Sequence, residues 1–364
     1  MKMIPFLPGL IFSMLTLALT AREIPQVTPA EAGLSKTKLA QVDQFMNQAV
    51  ADQKIAGGVV IISHDGKIGF FHAYGLMNHE AGKPMSPDTI FRIYSMSKAI
   101  TTAAALTLYD AGKLGLDDPV SKYIPSFASV TVATTNGLRA PKRALTIRDL
   151  MLHTSGLTYG DGPAALKKAY AQLKPLESTN LAEMAEKLSK VPLAFDPGTD
   201  WNYGTGIDVL GRVIEVVSGK SLNEFLAETI FQPLDMKDTG FSVPPEKLGR
   251  LAANYTRTNG TLKVIDVPTE SKFAKRVTLF SGGGGLVSTA QDYMGFLTMI
   301  ERGGTLDGHR LLRDETVRLM TSNQLPAQAF PIYFGKGKTS WHRLRFGLLG
   351  AHRDHRLGSI RPCR

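Results

Sequence analysis

"YSMSKAITTAAALTLYDAG", residues 94–112, places Ser95 and Lys98 three positions apart where the chain enters a helical pattern. Ala and Leu dominate the run from Met96 to Asp110, and Gly112 is a stop signal, so the spacing predicts a helix over those residues. Apolar residues run almost all the way round it, which predicts a buried helix. Residues i and i+3 share a helix face, so Ser95 and Lys98 stand side by side in one turn. A serine hydroxyl is a poor nucleophile until a neighbouring base takes its proton. An apolar surround disfavours an ammonium ion, which suits a buried lysine to act as that base. The helix N-terminus also favours negative charge developing on the serine oxygen. The chemistry is coherent, but a four-residue spacing recurs by chance, so the rest of the chain has to decide.

Working outward, residues 36–52 carry Leu39, Val42, Met46, Ala49 and Val50 at helical spacing. Two strands, "GGVVIIS" (57–63) and "KIGFFHAYG" (67–75), follow around a His64-Asp65-Gly66 turn, and Asp-Gly is a strong hairpin signal. "TIFRIYS" (89–95) reads as a short strand or an extended approach to the helix. From about 120 to 235 the pattern is predominantly helical. "TGFSV" (239–243) and "GTLKVIDV" (260–267) then read as short strands, and a Gly-rich turn at Gly282–Gly285 enters a helix with Ser288 and Gln291 spaced as a capping box. Strands, a helical insertion, then strands and helices suggest an α/β sheet domain interrupted by an all-helical one, with a cleft between them.

The 364 residues suit one large composite domain or two smaller ones, and 43% hydrophobic with 20% charged residues is ordinary for a globular chain. The net charge of +10 is concentrated: residues 336–364 hold eight Lys or Arg against Asp354 alone, a net +7. The body is thus nearly balanced, and without an aromatic-interleaved basic helix or zinc-finger spacing, nucleic-acid binding is not expected. The lone Cys363 excludes disulfides within the chain, and His64, His72, His79 and His309 show no metal-ligand spacing, so no metal is implied. Residues 1–21 resemble a signal peptide, an apolar run too short to span a bilayer comfortably, cleaved near Ala18 or Ala21. Export to a bacterial periplasm or medium is the expectation, with no stable membrane span after cleavage.

Four blocks now stand in order: residues 91–127 with the Ser-x-x-Lys motif, "LTIRDLMLHTSGL" (145–157), residues 201–241 opening on "WNYGTG", and "GGGGLVSTAQDYMGF" (282–296). From about residue 30 to 335 they resemble the class C β-lactamase-like serine hydrolases, and most closely the family VIII carboxylesterases. The resemblance implies an α/β fold of the β-lactamase and penicillin-binding-protein type: a mainly antiparallel sheet flanked by helices, plus an all-helical domain. Residues 30–125 and 270–335 would form the sheet domain, 126–269 the mainly helical one, and 336–364 an atypical basic tail. The implied activity is carboxylesterase action on short-chain, small-molecule esters through an acyl-enzyme on Ser95, with Lys98 and Tyr203 completing the catalytic set and no cofactor.

Two departures from the family pattern matter. The β-lactamases of the family carry Tyr-x-Asn, whose amide helps hold a β-lactam, whereas this chain reads Tyr203-Gly204-Thr205. Thr205 therefore counts against strong β-lactamase activity, and Trp201 is either a wall of the acyl or alcohol pocket or a core aromatic. Family members also continue into further strands, one edging the site with a Lys-Thr-Gly-like or Trp-Gly-Gly-like element and an oxyanion-hole N–H. Lys338-Thr339-Ser340 is the nearest counterpart, read as a loop. The segment after it has no strand periodicity, which suggests altered or missing C-terminal strands. The alternatives are a β-lactamase or D-Ala-D-Ala peptidase of the same fold, or a catalytically impaired relic. "GKGKT" (335–339) lacks the first glycine of a phosphate loop, and His153 reads as a helix-end histidine with a structural hydrogen bond.

Overall fold

The computed structural model describes residues 24–330, Ile332, and the backbone of 344–347 and 350–353. Helix α1 (Lys36–Ala51) starts at Ser35, whose hydroxyl accepts from the Lys38 N–H. Strands β1 (Gly57–His64) and β2 (Lys67–Asn78) pair antiparallel around Asp65-Gly66, both at the positive φ that this tight turn demands. The two-residue β3 (Lys83–Pro84) adds to β2. Leu39 of α1 is buried against Phe70 and Tyr74, so the helix lies across one face of this sheet.

Strand β4 (Phe91–Arg92) leads through a 3-10 turn at Tyr94–Met96 into α2 (Ser97–Asp110). The next segment holds the β5–β6 hairpin (Val132–Thr134 and Gly137–Arg139) and helices α3 (Ile147–Leu152), α4 (Ala164–Leu173), α5 (Leu181–Ser189), α6 (Gly206–Ser218) and α7 (Leu222–Leu226). The chain returns through the β7–β8 hairpin (Asn254–Thr258 and Thr261–Asp266), β9 (Val287–Ser288), α8 (Ala290–Glu301), the β10–β11 pair (Thr305–Leu306 and His309–Arg310) and α9 (Asp314–Thr321). Strand β9 pairs antiparallel with β4, matching Phe91 with Ser288 and Arg92 with Val287. This pairing across almost two hundred residues brings the Gly-rich turn over the start of α2.

The buried helix predicted from the opening stretch is α2. Ile100, Ala103, Ala104, Ala105 and Leu106 have no exposed surface, and α6, α7 and α9 pack around them. Its alanines let neighbouring helices approach closely, while each fully buried Ile or Leu contributes roughly 1.5–3 kcal/mol. Helix α3 is held from outside: Asp149 completes a capping box with Thr146 and takes a bidentate pair from Arg143 at 2.6 and 2.8 Å.

The structure corrects several local expectations. The 120–235 stretch contains the β5–β6 hairpin, whose Asn136-Gly137 step is itself a turn signal. Residues 239–243 form no strand, only a bridge from Gly240 to Val287. The extended 89–95 segment contracts to β4 because Tyr94 turns to φ 41°. Helix α8 is capped by Thr289, accepting from the Asp292 N–H, and not by Ser288, which is buried in β9 with its hydroxyl against that of Thr239. Beyond residue 340, β12 (Leu344–Gly347) and β13 (Gly350–Arg353) pair with each other, correcting the expectation that this segment holds no strand. Gly347 pairs with Gly350 at the end of that hairpin, which among the described residues forms a two-stranded sheet of its own. The signal-peptide residues 1–21, Lys338-Thr339-Ser340 and Cys363 lie outside the described residues. No described helix is long and apolar enough to cross a membrane.

Candidate active site

The site is built first from the turn into α2. Tyr94 holds a left-handed conformation, tethered by Asn254 Nδ2 donating to its hydroxyl at 2.8 Å, with its ring edge on Phe273. That strained residue lifts Ser95 onto the 3-10 turn, two residues before α2, where it is exposed. Ser97 is buried instead, its hydroxyl accepting from the Leu286 N–H at 3.2 Å. Of the two serines, one is committed to structure and the other faces solvent. Lys98 is buried; its Nζ lies 3.3 Å from Ser95 Oγ and donates to the Gly283 carbonyl.

Aromatic rings close the other side. Lys98 Nζ stands 4.6 Å from the ring centre of Tyr203 and 5.9 Å from that of Tyr159. Tyr203 packs on His153 at 4.7 Å between centroids. His153 ends α3 in the left-handed region, its carbonyl accepting from the Asn202 N–H, and its Nδ1 lies 3.4 Å from the Gly204 N–H. Accepting that proton requires a neutral ring. Burial, and secondly the charge of Lys98, push the imidazole down to about 3. Gly204 is required where it stands, because a Cβ there would come within 2.0 Å of the Leu157 carbonyl oxygen. Burial also drives the Tyr159 phenol well above its ordinary range, so it stays protonated.

The two residues considered for substrate contact, Trp201 and Thr205, are both buried. Trp201 is buried, with its ring edge-on to His153 at 6.1 Å. Thr205 has no exposed surface, and its hydroxyl donates to the Thr158 carbonyl at 3.3 Å. A ligand would reach Thr205 only after the surrounding loop moved.

The Gly-rich segment is a tight turn: the Gly285 N–H donates to the Ser281 carbonyl, and the Ile93 N–H to the Leu286 carbonyl. Thr101 of α2 donates to the Gly282 carbonyl at 2.9 Å. From α6, the fully buried Asp208 accepts from Ser281 Oγ at 2.5 Å and from the Gly283 N–H at 3.0 Å. Burial pushes its carboxyl up despite those bonds. Sequence reasoning did not single out Asp208, Tyr159 or Gly283. The available signal was Asp208 itself, an acid set among Ile207, Val209 and Leu210 on an otherwise apolar stretch. Among the described residues, no group of three or more His, Cys, Asp or Glu side chains could hold a metal ion.

A sequence model of the family described as Beta-lactamase matches residues 42–348. Protein Rv1367c of Mycobacterium tuberculosis (strain ATCC 25618 / H37Rv) is 34% identical over 298 residues, covering 78% of this chain and 73% of its own length. Esterase EstB of Burkholderia gladioli is 36% identical over 213 residues, 57% of this chain and 53% of that protein. Among solved structures, EstCE1, described as a hydrolase with promiscuous acyltransferase activity, superposes with a TM-score of 0.74 at 30% identity, covering 87% of this chain and 83% of its own. With the matched region spanning the exposed serine, the buried lysine and the aromatic wall, this chain belongs to the beta-lactamase family as a β-lactamase-fold serine hydrolase.

Proposed function

We propose that the chain is a carboxylesterase that cleaves short-chain esters through an acyl-enzyme on Ser95. One observation carries the reading: an exposed Ser95 hydroxyl 3.3 Å from the buried amine of Lys98. In the neutral form that amine takes the Ser95 proton as Oγ attacks the ester carbonyl carbon. The oxyanion collapses, the bond to the alcohol oxygen breaks, and the departing alkoxide takes a proton from Lys98 or from the Tyr203 phenol beside it. Water then adds to the acyl carbon and gives up its proton to the same groups; the bond from that carbon to Oγ breaks, Ser95 Oγ takes the proton back, and the acid is released. The cleft would lie between a sheet-bearing unit (30–125 and 270–335), which supplies α2 and the Gly-rich turn, and a mainly helical unit (126–269), which supplies Tyr203. Reading residues 1–21 as a signal peptide carries with it a periplasmic or secreted location.

Likeness to an esterase and to EstCE1 supports ester over β-lactam substrates, as does Thr205 in place of an asparagine. A second reading is acyl transfer, in which an alcohol replaces water. It draws on the activity described for EstCE1 and on Tyr94 and Met96, both half-exposed, which flank Ser95 with apolar surface. Intact mass after incubation with a fluorophosphonate should show one adduct, absent in Ser95→Ala. The kcat/KM for p-nitrophenyl butyrate should far exceed that for nitrocefin. No adduct, or a preference for nitrocefin, would overturn the esterase reading.

A further inference from the structure

Lys98 poses a problem that its own contacts only partly solve. A neutral amine carries two N–H bonds and one lone pair, and the lone pair must face Ser95 Oγ to take its proton. Free rotation about the last side-chain bond would scatter it. The Gly283 carbonyl removes that freedom by accepting one N–H, so catalysis depends on where that carbonyl is held. The segment bearing it, Gly282–Gly285, has no side chains with which to hold itself.

The structure assigns that task to Asp208, which we infer is a positioning residue that acts through Gly283 on Lys98; this rests on the reading of Ser95 and Lys98 as nucleophile and base. Its Oδ1 receives both the Ser281 hydroxyl and the Gly283 N–H, gripping the turn at two points. Gly283 therefore bonds the carboxylate through its N–H and the lysine through its C=O. A Cβ there would lie 2.5 Å from Asp208 Oδ2, so any other residue would force the turn and the carboxylate apart. Thr101 steadies the neighbouring Gly282 carbonyl from α2, so the turn is held from both helices that flank it. Burying a carboxylate on α6 is costly, and it is retained here on two donors, one of which, Gly283, bonds the base through its carbonyl.

Kinetics per fluorophosphonate-titrated site test this. Misplacing a catalytic group by about 1 Å costs about 100-fold, so Asp208→Ala should lower kcat on p-nitrophenyl butyrate by about that factor, with KM nearly unchanged. Asp208→Asn should recover most of the rate, because the amide oxygen still accepts both hydrogen bonds. Gly283→Ala should lose as much as Asp208→Ala, since its methyl group drives the turn off the carboxylate. It also carries the test alone if Asp208→Ala does not fold. The inference is overturned if Asp208→Ala or Gly283→Ala keeps the parent kcat, if Asp208→Asn is as slow as Asp208→Ala, or if KM rises in step with the loss of kcat. Failure of the underlying esterase reading looks different: the parent protein takes no adduct at Ser95, or Ser95→Ala stays active.

Discussion

Replacing Lys98 by methionine separates the chemistry of the base from its structural part. Methionine has a similar length and an apolar tip, so it can occupy the buried space of the lysine stem. The substitution removes the group 3.3 Å from Ser95 Oγ and the donor to the Gly283 carbonyl. Loss of a positioned general base costs about 10²–10⁴ in rate. At 1.36 kcal/mol per tenfold, that is about 3–5 kcal/mol of lost transition-state stabilisation. On the structural side, the Gly283 carbonyl loses its lysine donor, at a cost of about 1–3 kcal/mol, partly offset because an amine no longer has to be buried. In a chain of this size a loss of that order moves Tm by only a few degrees. The two effects are therefore well separated: nearly all molecules stay folded at 25 °C while turnover falls by orders of magnitude. Lys98→Arg should be equally inactive although it keeps the charge, because a guanidinium is not deprotonated in a protein. Steady-state hydrolysis of p-nitrophenyl butyrate, with thermal melts of the same samples, reads both quantities. Turnover within about tenfold of the parent in either variant would remove Lys98 from the mechanism.

Tyr203→Phe keeps the ring against His153 and Trp201 but removes the phenol; kcat should fall by about 10²-fold or more, and a near-normal rate would leave Tyr203 as wall alone. His153 is held neutral in the fold, with its imidazole lowered from 6.5 to about 3. The unfolded chain therefore binds a proton near pH 6.5 that the folded chain refuses until about pH 3, so stability falls as pH drops through that window. Tm measured from pH 7.5 to 5 should fall more steeply for the parent than for His153→Gln, whose side-chain oxygen can still accept from the Gly204 N–H. Parallel curves would show that His153 does not exclude a proton.

What could be read along the chain was whatever neighbouring residues settle among themselves. The Ala-rich run specified a buried helix, the i, i+3 spacing put Ser95 beside Lys98, and Asp65-Gly66 specified the first hairpin, because each depends on a few consecutive dihedral angles. Tyr203 entered only through the family resemblance, since nothing local marks that phenol as lying by the lysine. Strands β4 and β9, two residues each, are too short to show a period and depend on backbone pairing between segments far apart in the chain. Which serine is free could not be read either: Ser97 is occupied by a backbone N–H from residue 286, and a bond across 189 positions leaves no trace in its neighbours. The grip of Asp208 on Gly283 spans 75 positions and has the same character. Sequence by itself thus determined the helix and the approach of Ser95 to Lys98 at its start. Tertiary structure decided the position of the Gly283 carbonyl, the neutral state of His153 and the burial of Thr205, because each depends on groups distant in sequence that only the fold brings together: Asp208 and Lys98 with Gly283, Lys98 and Gly204 with His153, and Thr158 with Thr205.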